Sequence, residues 1–396
     1  MPGQEPLKWG VVQDPGGQGQ VRDDEARMSM KAIWRTATAA SLCLAVAACG
    51  RDRVADETVP DGNQIPAPRT TTIEPIASPT LQTIKRRGRL NCGVHEGLVG
   101  FAYTDNRGQW RGFDVDFCRA MAAAIFNDAN AVRFVPLAIG QRFEALEDGR
   151  IDVLWRNTSW TMTRDAGEGV SFAGINYFDG QGFMVRRALT LNSAVELKGA
   201  RICVQAGSTS ELNAADYFRS RGIDYRAVVL PSEEAARQAY AREDCDALTA
   251  DISALAATRT TLSNPEQHAI LPDVISKEAL GPVVRRGDEQ WTAIVRWTLN
   301  AVILAEELGV TRATVTAQAR DSTDPRVRRL LGVEGEFGPM LGLSDAWARN
   351  AIGAVGNYGE IFNRNLGDDS ALDLARGLNA QWNARPGGLI YALPIR

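Results

Sequence analysis

Residues 201–217 read Arg-Ile-Cys-Val-Gln-Ala-Gly-Ser-Thr-Ser-Glu-Leu-Asn-Ala-Ala-Asp-Tyr, and this stretch decides the fold. Its start predicts a buried strand, Gly207-Ser-Thr predicts a turn, and the remainder predicts a helix through Tyr217. The chain continues with a predicted strand at 226–230, a helix at 232–240 and a strand at 246–250. This order of elements predicts a parallel sheet with helices on both faces.

The same order of elements occurs earlier in the chain. Strands are predicted at 89–94, 132–137, 151–155 and 182–186, and helices at 113–126 and 142–148. Two such units predict an α/β fold with two doubly wound sheets, one in each of two lobes. Because ligands bind at the carboxyl ends of strands in open sheets, two facing lobes also predict a cleft.

A long amphipathic helix is predicted at 291–307, after the second unit. The tail that follows has the length of a helical extension and is too short for a further enzyme domain.

Composition narrows the possible functions. The chain has 396 residues, of which 44% are hydrophobic and 23% are charged, and its formal net charge is -4. This charge gives no electrostatic reason to expect binding to nucleic acid or to an anionic membrane surface. The two histidines, His95 and His268, occur without CxxC or HxxxH spacing, so no metal site and no cofactor is expected. Nothing in the sequence predicts an oligomer, and a monomer is expected.

A short apolar segment at residues 37–48 predicts export. It follows basic residues and ends in small ones, which is typical of a signal peptide, here residues 30–48. The segment is too short to span a bilayer, and the alternative is a short buried helix. Residues 1–29 precede this signal, so translation is expected to start at Met28 or Met30, with residues 1–29 a non-native extension.

Cys49 follows the small residues and resembles the acylated cysteine of a lipoprotein. Plain cleavage near Ala48 without a lipid is the alternative. Residues 49–80 contain several prolines among Thr, Asp and Asn, with few large apolar residues, which predicts a disordered tether. These features predict a periplasmic or extracytoplasmic protein, in contact with a membrane through a lipid anchor if Cys49 is acylated.

Four cysteines remain in the part that is predicted to fold, and three pairings of them are possible. Proximity in the sequence favours Cys92–Cys118 and Cys203–Cys245, one disulfide in each lobe. Closing the second loop would contribute about 4 kcal/mol in the chain-entropy model. The alternative, four free buried thiols, is more typical of a cytosolic protein than of an exported one.

Three motifs at strand ends lie in order along the chain. They are Asp152-Val-Leu-Trp-Arg-Asn-Thr-Ser-Trp-Thr-Met-Thr-Arg164, Gly199-Ala-Arg-Ile-Cys-Val-Gln-Ala-Gly-Ser-Thr-Ser-Glu211 and Asp246-Ala-Leu-Thr-Ala-Asp251. With Gly112-Phe-Asp-Val-Asp116, they resemble the family-3 solute-binding proteins of polar amino-acid ABC transporters, over about residues 81–310. The resemblance implies a two-lobed, periplasmic-binding-protein-like fold (type II) whose lobes are joined by a two-stranded hinge.

These motifs carry the groups that a free amino acid requires. A carboxylate suits the planar fork of an arginine and backbone N–H groups at a helix N-terminus, whereas an ammonium group requires a carboxylate. The resemblance implies Arg164 for the α-carboxylate, Asp251 for the ammonium group, and Asn157, Ser159, Ser208 and Thr209 as further polar contacts. Each of these residues has a structural alternative. Arg164 could form a surface ion pair with Asp165, and Asp251 could cap a helix. Asn157 and Ser159 could be turn residues, and Ser208 and Thr209 could be N-caps.

Three residues are weaker candidates for ligand contact. Arg156 could reach an acidic ligand side chain, and Trp160 either packs in the core or stacks on the ligand. His95 lies in His95-Glu96-Gly97-Leu98, where many family members have an acidic residue and an aromatic. It is either a hydrogen-bonding wall of the cleft or a catalytic base.

A narrower resemblance concerns specificity. The stretches Arg156-Asn-Thr-Ser-Trp-Thr161, Ala305-Glu-Glu-Leu-Gly309 and Gly356-Asn-Tyr-Gly-Glu360, together with the cysteine placement, resemble the general L-amino-acid-binding branch. This implies an importer component that binds many free L-amino acids by hinge closure and delivers them to a permease in the inner membrane. It implies a binding protein and not an enzyme.

The expected lobe boundaries follow from the two tandem units of strands and helices. The first lobe comprises 81–186 and 283–396, and the second comprises 187–282, with hinges near 186–188 and 280–283. The alternative function is a dehydratase-like periplasmic enzyme on the same fold, with His95 or Glu96 as its acid or base.

Overall fold

The structure, a computed structural model, describes residues 76–396. The predicted signal peptide, the residues upstream of it and Cys49 lie outside the described residues. In chain order the strands are β1 Leu90–Val94, β2 Tyr103–Thr104, β3 Trp110–Arg111, β4 Val132–Pro136, β5 Val153–Leu154, β6 Val170–Phe172, β7 Tyr177–Asp179, β8 Gln181–Arg186, β9 Arg201–Gln205, β10 Arg226–Leu230, β11 Ala247–Asp251, β12 His268–Ile270, β13 Glu278–Leu280 and β14 Val283–Arg285. The α-helices are α1 Pro79–Arg87, α2 Phe113–Phe126, α3 Arg142–Glu147, α4 Met162–Gly167, α5 Thr209–Ser220, α6 Glu233–Ala241, α7 Ile252–Thr260, α8 Glu289–Glu307, α9 Val315–Asp321, α10 Pro325–Leu330, α11 Phe337–Met340, α12 Trp347–Val355 and α13 Tyr358–Asn365.

The first sheet has the order β4-β1-β5-β14-β6. Strand β1 is buried along its whole length and pairs in parallel with β4 and β5, as a central strand covered on both faces does. Strand β14 returns from much later in the chain and pairs antiparallel with β5 and β6. The predicted parallel unit is therefore confirmed, with two strands added at one edge.

The second sheet has the order β10-β9-β11-β8-β12 and repeats the arrangement of the first. Strands β10, β9 and β11 are parallel, whereas β8 and β12 run antiparallel to their neighbours. The predicted strand at 182–186 had been assigned to the first lobe. Because β8 is hydrogen-bonded to β11 in the second sheet, the chain crosses between the sheets before Gln181 and not after residue 186.

A pair of short antiparallel strands, β7 and β13, forms the connection between the sheets. Glu278 lies opposite Asp179, and Leu280 lies opposite Tyr177. The two-stranded hinge is confirmed, but its first strand lies upstream of the predicted hinge near 186–188. Residues 187–189 form a short 3-10 helix after β8.

Helix α1 was not predicted, since residues up to 80 were assigned to the tether. The Ser78 hydroxyl caps the helix by accepting from the Leu81 N–H at 3.0 Å, and Pro79 occupies the first turn, where its missing N–H costs nothing. Ser78 also donates to the Asp288 carboxylate at 2.8 Å, so residues 78–80 belong to the folded body. The predicted end of the tether at residue 80 is therefore wrong.

Both expected disulfides are present. The Cα atoms of Cys92 and Cys118 lie 6.1 Å apart, and those of Cys203 and Cys245 lie 5.7 Å apart. Cys92 is on β1 and Cys118 on α2, so this bridge joins an interior strand of the first sheet to a helix that packs on it. The second bridge joins β9, in the second sheet, to Cys245, which lies two residues before β11.

The residues after α8 form a helical extension that packs on α2 and α8. The extension also reaches the hinge. The side-chain amide of Asn379 accepts from the Phe178 N–H at 2.7 Å and donates to the Phe178 carbonyl at 2.9 Å. The Tyr358 hydroxyl donates to the carbonyl of Asn176 at 2.8 Å. The extension therefore holds one of the two hinge strands from outside the cleft.

Between residues 76 and 396, none of the helices has both the length and the apolar character that a bilayer crossing requires.

Candidate functional site

A cavity lies where the carboxyl ends of β5, β9 and β11 face one another across the two sheets. This is the position that the strand pattern predicted. Seven of the predicted site residues line it: Arg156, Asn157, Ser159, Arg164, Ser208, Thr209 and Asp251. Residues more than ninety positions apart in the sequence therefore meet in one space.

The loop after β5 is held in an unusual conformation. Asn157 has φ of 32°, in the left-handed region, and its N–H donates to the buried Asp114 carboxylate at 3.0 Å. Asp114 also accepts from the side-chain amide of Asn176, and burial raises the pKa of Asp114 to about 7. The aspartate of the Gly112-Phe-Asp signature thus holds the loop that carries Asn157. The side-chain oxygen of Asn157 has no partner within residues 76–396 and remains free for a ligand.

Arg164 lies in the first turn of α4, which Thr161 caps by accepting from its N–H at 3.3 Å. The Arg164 guanidinium donates to the Ser159 carbonyl at 2.9 Å. Burial lowers the pKa of Arg164, opposed by the charges of Glu278, Asp251 and Glu168. A surface pair with Asp165 is not formed among the described residues. The half-buried guanidinium has further N–H donors that can bind an anion.

The turn between β9 and α5 brings a helix N-terminus to the cavity. The Ser208 hydroxyl accepts from the Glu211 N–H at 3.2 Å and donates to the Gln205 carbonyl at 2.7 Å. Ser208 is therefore the N-cap of α5, which was the structural alternative to ligand binding for this residue. The Thr209 hydroxyl donates to Glu278 at 3.2 Å. Backbone N–H groups in the first turn of a helix favour a negatively charged group beside them.

Asp251 ends β11 at the N-cap position of α7, but its side chain makes no capping hydrogen bond. Instead, Asp179 accepts from the N–H and the hydroxyl of Ser253 in that helix. Burial, followed by the charges of Asp179, Glu278 and Glu233, raises the pKa of Asp251 well above its usual range, while Arg164 opposes the rise. The Asp251 carboxylate thus lacks the partners that its capping alternative would provide, and a cation beside it would stabilise its charged form.

Asp179 and Glu278 were not predicted as site residues. They lie opposite each other on the hinge strands, and burial raises the pKa of Asp179 to about 6. Glu278 is 2% exposed and accepts from Ser276, Thr209 and Asn213. The hinge strands are three residues each, too short to give a readable alternation in the sequence.

His95 and Trp160 do not line the cavity. His95, in the loop after β1, is 7% exposed and lies 3.0 Å from the Glu233 carboxylate at the start of α6. This contact joins an element of the first sheet to an element that packs on the second. Trp160 is 39% exposed and stacks on Phe172, with ring centroids 5.1 Å apart, so it belongs neither to the core nor to the cavity lining.

Arg142, the first residue of α3, was missed altogether. It lines the cavity beside Arg156, and both are 4% exposed. Burial, with the nearby charges of Arg164 and Arg156, lowers the pKa of Arg142 to about 8. In the sequence it is one charged residue at the start of a short amphipathic helix, and nothing distinguishes it from a solvent-exposed position.

Two sheets of the same topology, a two-stranded hinge and a charged cavity between them define a two-lobed binding protein. The chain belongs to the family of bacterial extracellular solute-binding proteins, family 3, which it matches over residues 90–311. It is 51% identical over 319 residues to the general L-amino acid-binding periplasmic protein AapJ of Rhizobium johnstonii, covering 80% of this chain and 93% of that protein.

Two further relatives support the family assignment. The chain is 48% identical over 317 residues to the glutamate/glutamine/aspartate/asparagine-binding protein BztA of Rhodobacter capsulatus, covering 80% of this chain and 93% of that protein. It is 51% identical to the structure of an ABC transporter periplasmic binding protein from Brucella ovis with glutathione bound. That structure superposes with a TM-score of 0.79 and covers 81% of this chain and 100% of that chain. The predicted resemblance and the predicted fold class are confirmed.

Proposed function

We propose that the protein is the extracytoplasmic substrate-binding component of an ABC importer, which binds free L-amino acids and delivers them to a membrane permease. The observation that carries the proposal is that Arg164 and Asp251, from different sheets, line the same cavity. A cation and an anion in one small space match the two charges of an amino-acid zwitterion. The names of the relatives, a general L-amino acid-binding protein among them, support the ligand class.

The ligand's α-carboxylate is proposed to lie on Arg164, with the loop residues Asn157 and Ser159 beside it. The N-terminus of α5, at Ser208 and Thr209, then contributes backbone N–H groups from the second sheet. The ammonium group is proposed to lie on Asp251. The two charges of the ligand are thereby paired with protein groups from both sides of the cleft, and the cost of desolvating them is fully compensated only when both sides are in contact.

Hinge closure is proposed to accompany binding, about β7 and β13. The lobes of this proposal are the body of the first sheet with the C-terminal extension, and the body of the second sheet. Because a ligand shifts a conformational equilibrium only by its differential affinity, the contacts from the second lobe are those that favour closure. A permease can then distinguish the loaded, closed form from the open one.

The His95–Glu233 contact across the cleft is proposed to help hold the closed form. Replacement His95→Ala is expected to weaken amino-acid binding by about 3- to 10-fold, because one hydrogen bond of about 0.5–1.5 kcal/mol that forms on closure is lost. Calorimetric titration with an L-amino acid measures the effect. The matched control His268→Ala removes an imidazole that is bonded to Tyr240 and does not line the cavity, and it should leave the affinity unchanged. Equal losses in both variants would contradict a role for this contact in closure.

The protein is proposed not to be an enzyme. Neither candidate acid or base lines the cavity: His95 lies against Glu233, and Glu96 is exposed. The relatives are named as binding proteins. Incubation of the protein with prephenate or arogenate tests the dehydratase alternative. No product is expected, and turnover above that of an Arg164→Ala variant would establish the enzyme.

Location and anchoring complete the proposal. Relatives named as periplasmic support an extracytoplasmic location. We also propose that residues 30–48 are a signal peptide, that Cys49 is acylated and that the protein is a monomer. Mass measurement of the mature N-terminus from membrane and soluble fractions tests the first two. A diacylglyceryl-cysteine at Cys49 would confirm the anchor, and an unmodified N-terminus near Ala48 would overturn it.

The direct test of function is calorimetric titration of the purified chain with each of the twenty L-amino acids. Binding of several at micromolar concentrations or below is expected, because backbone N–H groups, Arg164 and Asp251 contact only the part that all amino acids share. Binding of none would overturn the proposal. Binding of a single amino acid would retain the importer function and overturn the proposed breadth.

A further inference from the structure

The C-terminal extension supplies the outer partner of a hinge strand. Asn379 lies in this extension, beyond the residues 90–311 that match the family, and is 4% exposed. Its side-chain amide accepts from the Phe178 N–H at 2.7 Å and donates to the Phe178 carbonyl at 2.9 Å. One side chain therefore satisfies both backbone groups of a residue in β7, as a third strand of the hinge sheet would do.

The other edge of the hinge pair contacts the loop that carries the proposed carboxylate site. The Trp160 N–H donates at 2.8 Å to the carbonyl of Ala279, the residue of β13 that lies opposite Phe178. The carbonyl of the preceding loop residue, Ser159, accepts from the Arg164 guanidinium at 2.9 Å. A continuous series of contacts across the two hinge strands thus leads from the extension to the loop that positions Arg164.

A second residue of the extension contacts the segment just before β7. Tyr358 is fully buried, and its hydroxyl donates to the Asn176 carbonyl at 2.8 Å. Burial raises the pKa of Tyr358 well above its usual range, so the hydroxyl stays protonated and can donate. The Asn176 side chain donates to Asp114, which accepts from the Asn157 N–H at 3.0 Å. Tyr358 therefore holds the residue that supports the contact between Asp114 and Asn157.

Both contacts are fixed to the first lobe through one arginine. Arg376 donates to the Asn379 carbonyl at 2.9 Å and pairs with both carboxylate oxygens of Glu306, in α8, at 3.0 Å and 3.1 Å. Its guanidinium also lies over the Tyr358 ring, 5.1 Å from the ring centroid. A bidentate pair of arginine and carboxylate has a defined geometry. The extension therefore holds residues 176–178 in a defined position relative to α8.

On its second-lobe side, β7 contacts the helix that follows Asp251. Asp179, the last residue of β7, accepts from the N–H of Ser253 at 3.3 Å and from the Ser253 hydroxyl. Ser253 lies in the first turn of α7, two residues after Asp251. Neither Asn379 nor Tyr358 lines the cavity, so any effect of theirs on a ligand must pass through the hinge residues.

We propose that Asn379 and Tyr358 are positioning residues for ligand binding, which fix β7 to the first lobe and so determine where closure places Asp251. The proposal rests on the proposed function. A hinge works through a few residues that absorb the backbone rotation, and a fixed β7 leaves that rotation to the residues after Asp179. Without these contacts the closed form is less well defined, and the ligand must order it at a cost in affinity.

Two substitutions test this role on the full chain. Asn379→Ala removes both hydrogen bonds to Phe178 and should weaken binding of an L-amino acid by about 5- to 30-fold. Tyr358→Phe removes one hydrogen bond, keeps the buried ring and should weaken binding by about 2- to 10-fold. Calorimetric titration measures both ratios. If Asn379→Ala does not fold, as judged by its thermal unfolding, Tyr358→Phe decides.

A matched control separates the hinge contacts from the general stability of the extension. Asn300, on α8, is 7% exposed, accepts from the Leu393 N–H at 2.7 Å and donates to the Arg296 carbonyl at 2.8 Å. It is thus another buried asparagine that holds the extension, but its bonds do not involve the hinge strands. Asn300→Ala should lower the unfolding temperature about as much as Asn379→Ala and should keep the wild-type affinity.

Amide hydrogen exchange of the ligand-free protein shows whether the effect follows the proposed route. In Asn379→Ala, the amides of Ile252 and Ser253 at the start of α7 should exchange several-fold faster than in the wild type. In Tyr358→Phe, the Asn157 amide, which Asp114 accepts, should do so. In Asn300→Ala these amides should exchange as in the wild type, because a uniform loss of stability does not act on them selectively.

The outcomes distinguish this role from the proposed function. Weaker binding in the two hinge variants, with wild-type affinity in Asn300→Ala, would support it. Equal losses in all three variants would overturn it, because the extension would then act through stability alone. Unchanged affinity and unchanged exchange in both hinge variants would overturn it as well. If the wild type binds no amino acid, the proposed function fails, and the exchange of the α7 and Asn157 amides still decides whether the extension positions the hinge.

Discussion

Arg164→Ala is expected to weaken amino-acid binding by roughly 30- to several-thousand-fold. Arg164 is half-buried at the start of α4 and is positioned by the Ser159 carbonyl at 2.9 Å. Truncation of one partner of a buried, hydrogen-bonded charge pair costs about 2–5 kcal/mol, because the ligand carboxylate then stays desolvated and unpaired. Calorimetric titration of wild type and variant with the same amino acid measures the ratio.

Two controls accompany this substitution. Arg164→Lys keeps the positive charge but loses the planar fork, so its affinity should lie between those of the wild type and the Ala variant. Arg107→Ala changes an exposed arginine in the turn between β2 and β3 and should bind like wild type. Wild-type affinity in Arg164→Ala, in a protein that unfolds like the wild type, would show that the carboxylate is bound elsewhere.

Asp251→Asn is expected to weaken binding by about 10- to 150-fold, the value of a hydrogen bond to a charged group. The loss is smaller than at Arg164 because the raised pKa of Asp251 means that the empty site holds a proton over part of the pH range. A ligand ammonium must replace that proton. Substitution by Asn removes the charge but keeps the shape of the side chain, so the measured loss reports the charge.

The same raised pKa predicts how affinity depends on pH. Protonation of Asp251 competes with the ammonium group, so affinity should fall as the pH decreases, by up to about tenfold per pH unit below the pKa of the empty site. Asp251 faces Asp179, Glu278, Glu233 and Arg164, and the first three raise its pKa. Titrations between pH 8 and pH 5 measure the slope, which should flatten in Asp251→Asn. A slope unchanged in that variant would assign the proton to another group.

Most of the sheets could be predicted from the sequence, because each parallel strand is a short apolar run between turn residues. Helix α2 and strands β9 and β10 have the predicted bounds, and α8 begins two residues earlier than predicted. Assignment of a strand to a sheet was harder. Strand β8 pairs with β11, some sixty residues later, and no local pattern encodes that long-range pairing.

The site residues likewise divide into those that the sequence could predict and those that it could not. Asp251, which ends β11, and Arg164, on the helix that follows β5, could be found because parallel strands end at a common edge. Arg142, Glu278 and Asp179 could not be found. Nothing in the sequence distinguishes Arg142 from an exposed residue of a short helix, and the hinge strands that carry Asp179 and Glu278 are too short to show an alternation. The Gly112-Phe-Asp signature was recognisable as structural, but its contact with Asn157 depends on loop geometry. Helix α1 was missed because Pro79 follows a proline-rich stretch and reads as part of it.

The most direct test of the central claim is a crystal structure of the protein with a bound L-amino acid. The account predicts ligand density in the cavity between the sheets, with both α-carboxylate oxygens within hydrogen-bond distance of the Arg164 guanidinium and the ammonium group on Asp251. A ligand bound outside this cavity, or bound within it with its carboxylate away from Arg164, would contradict the account.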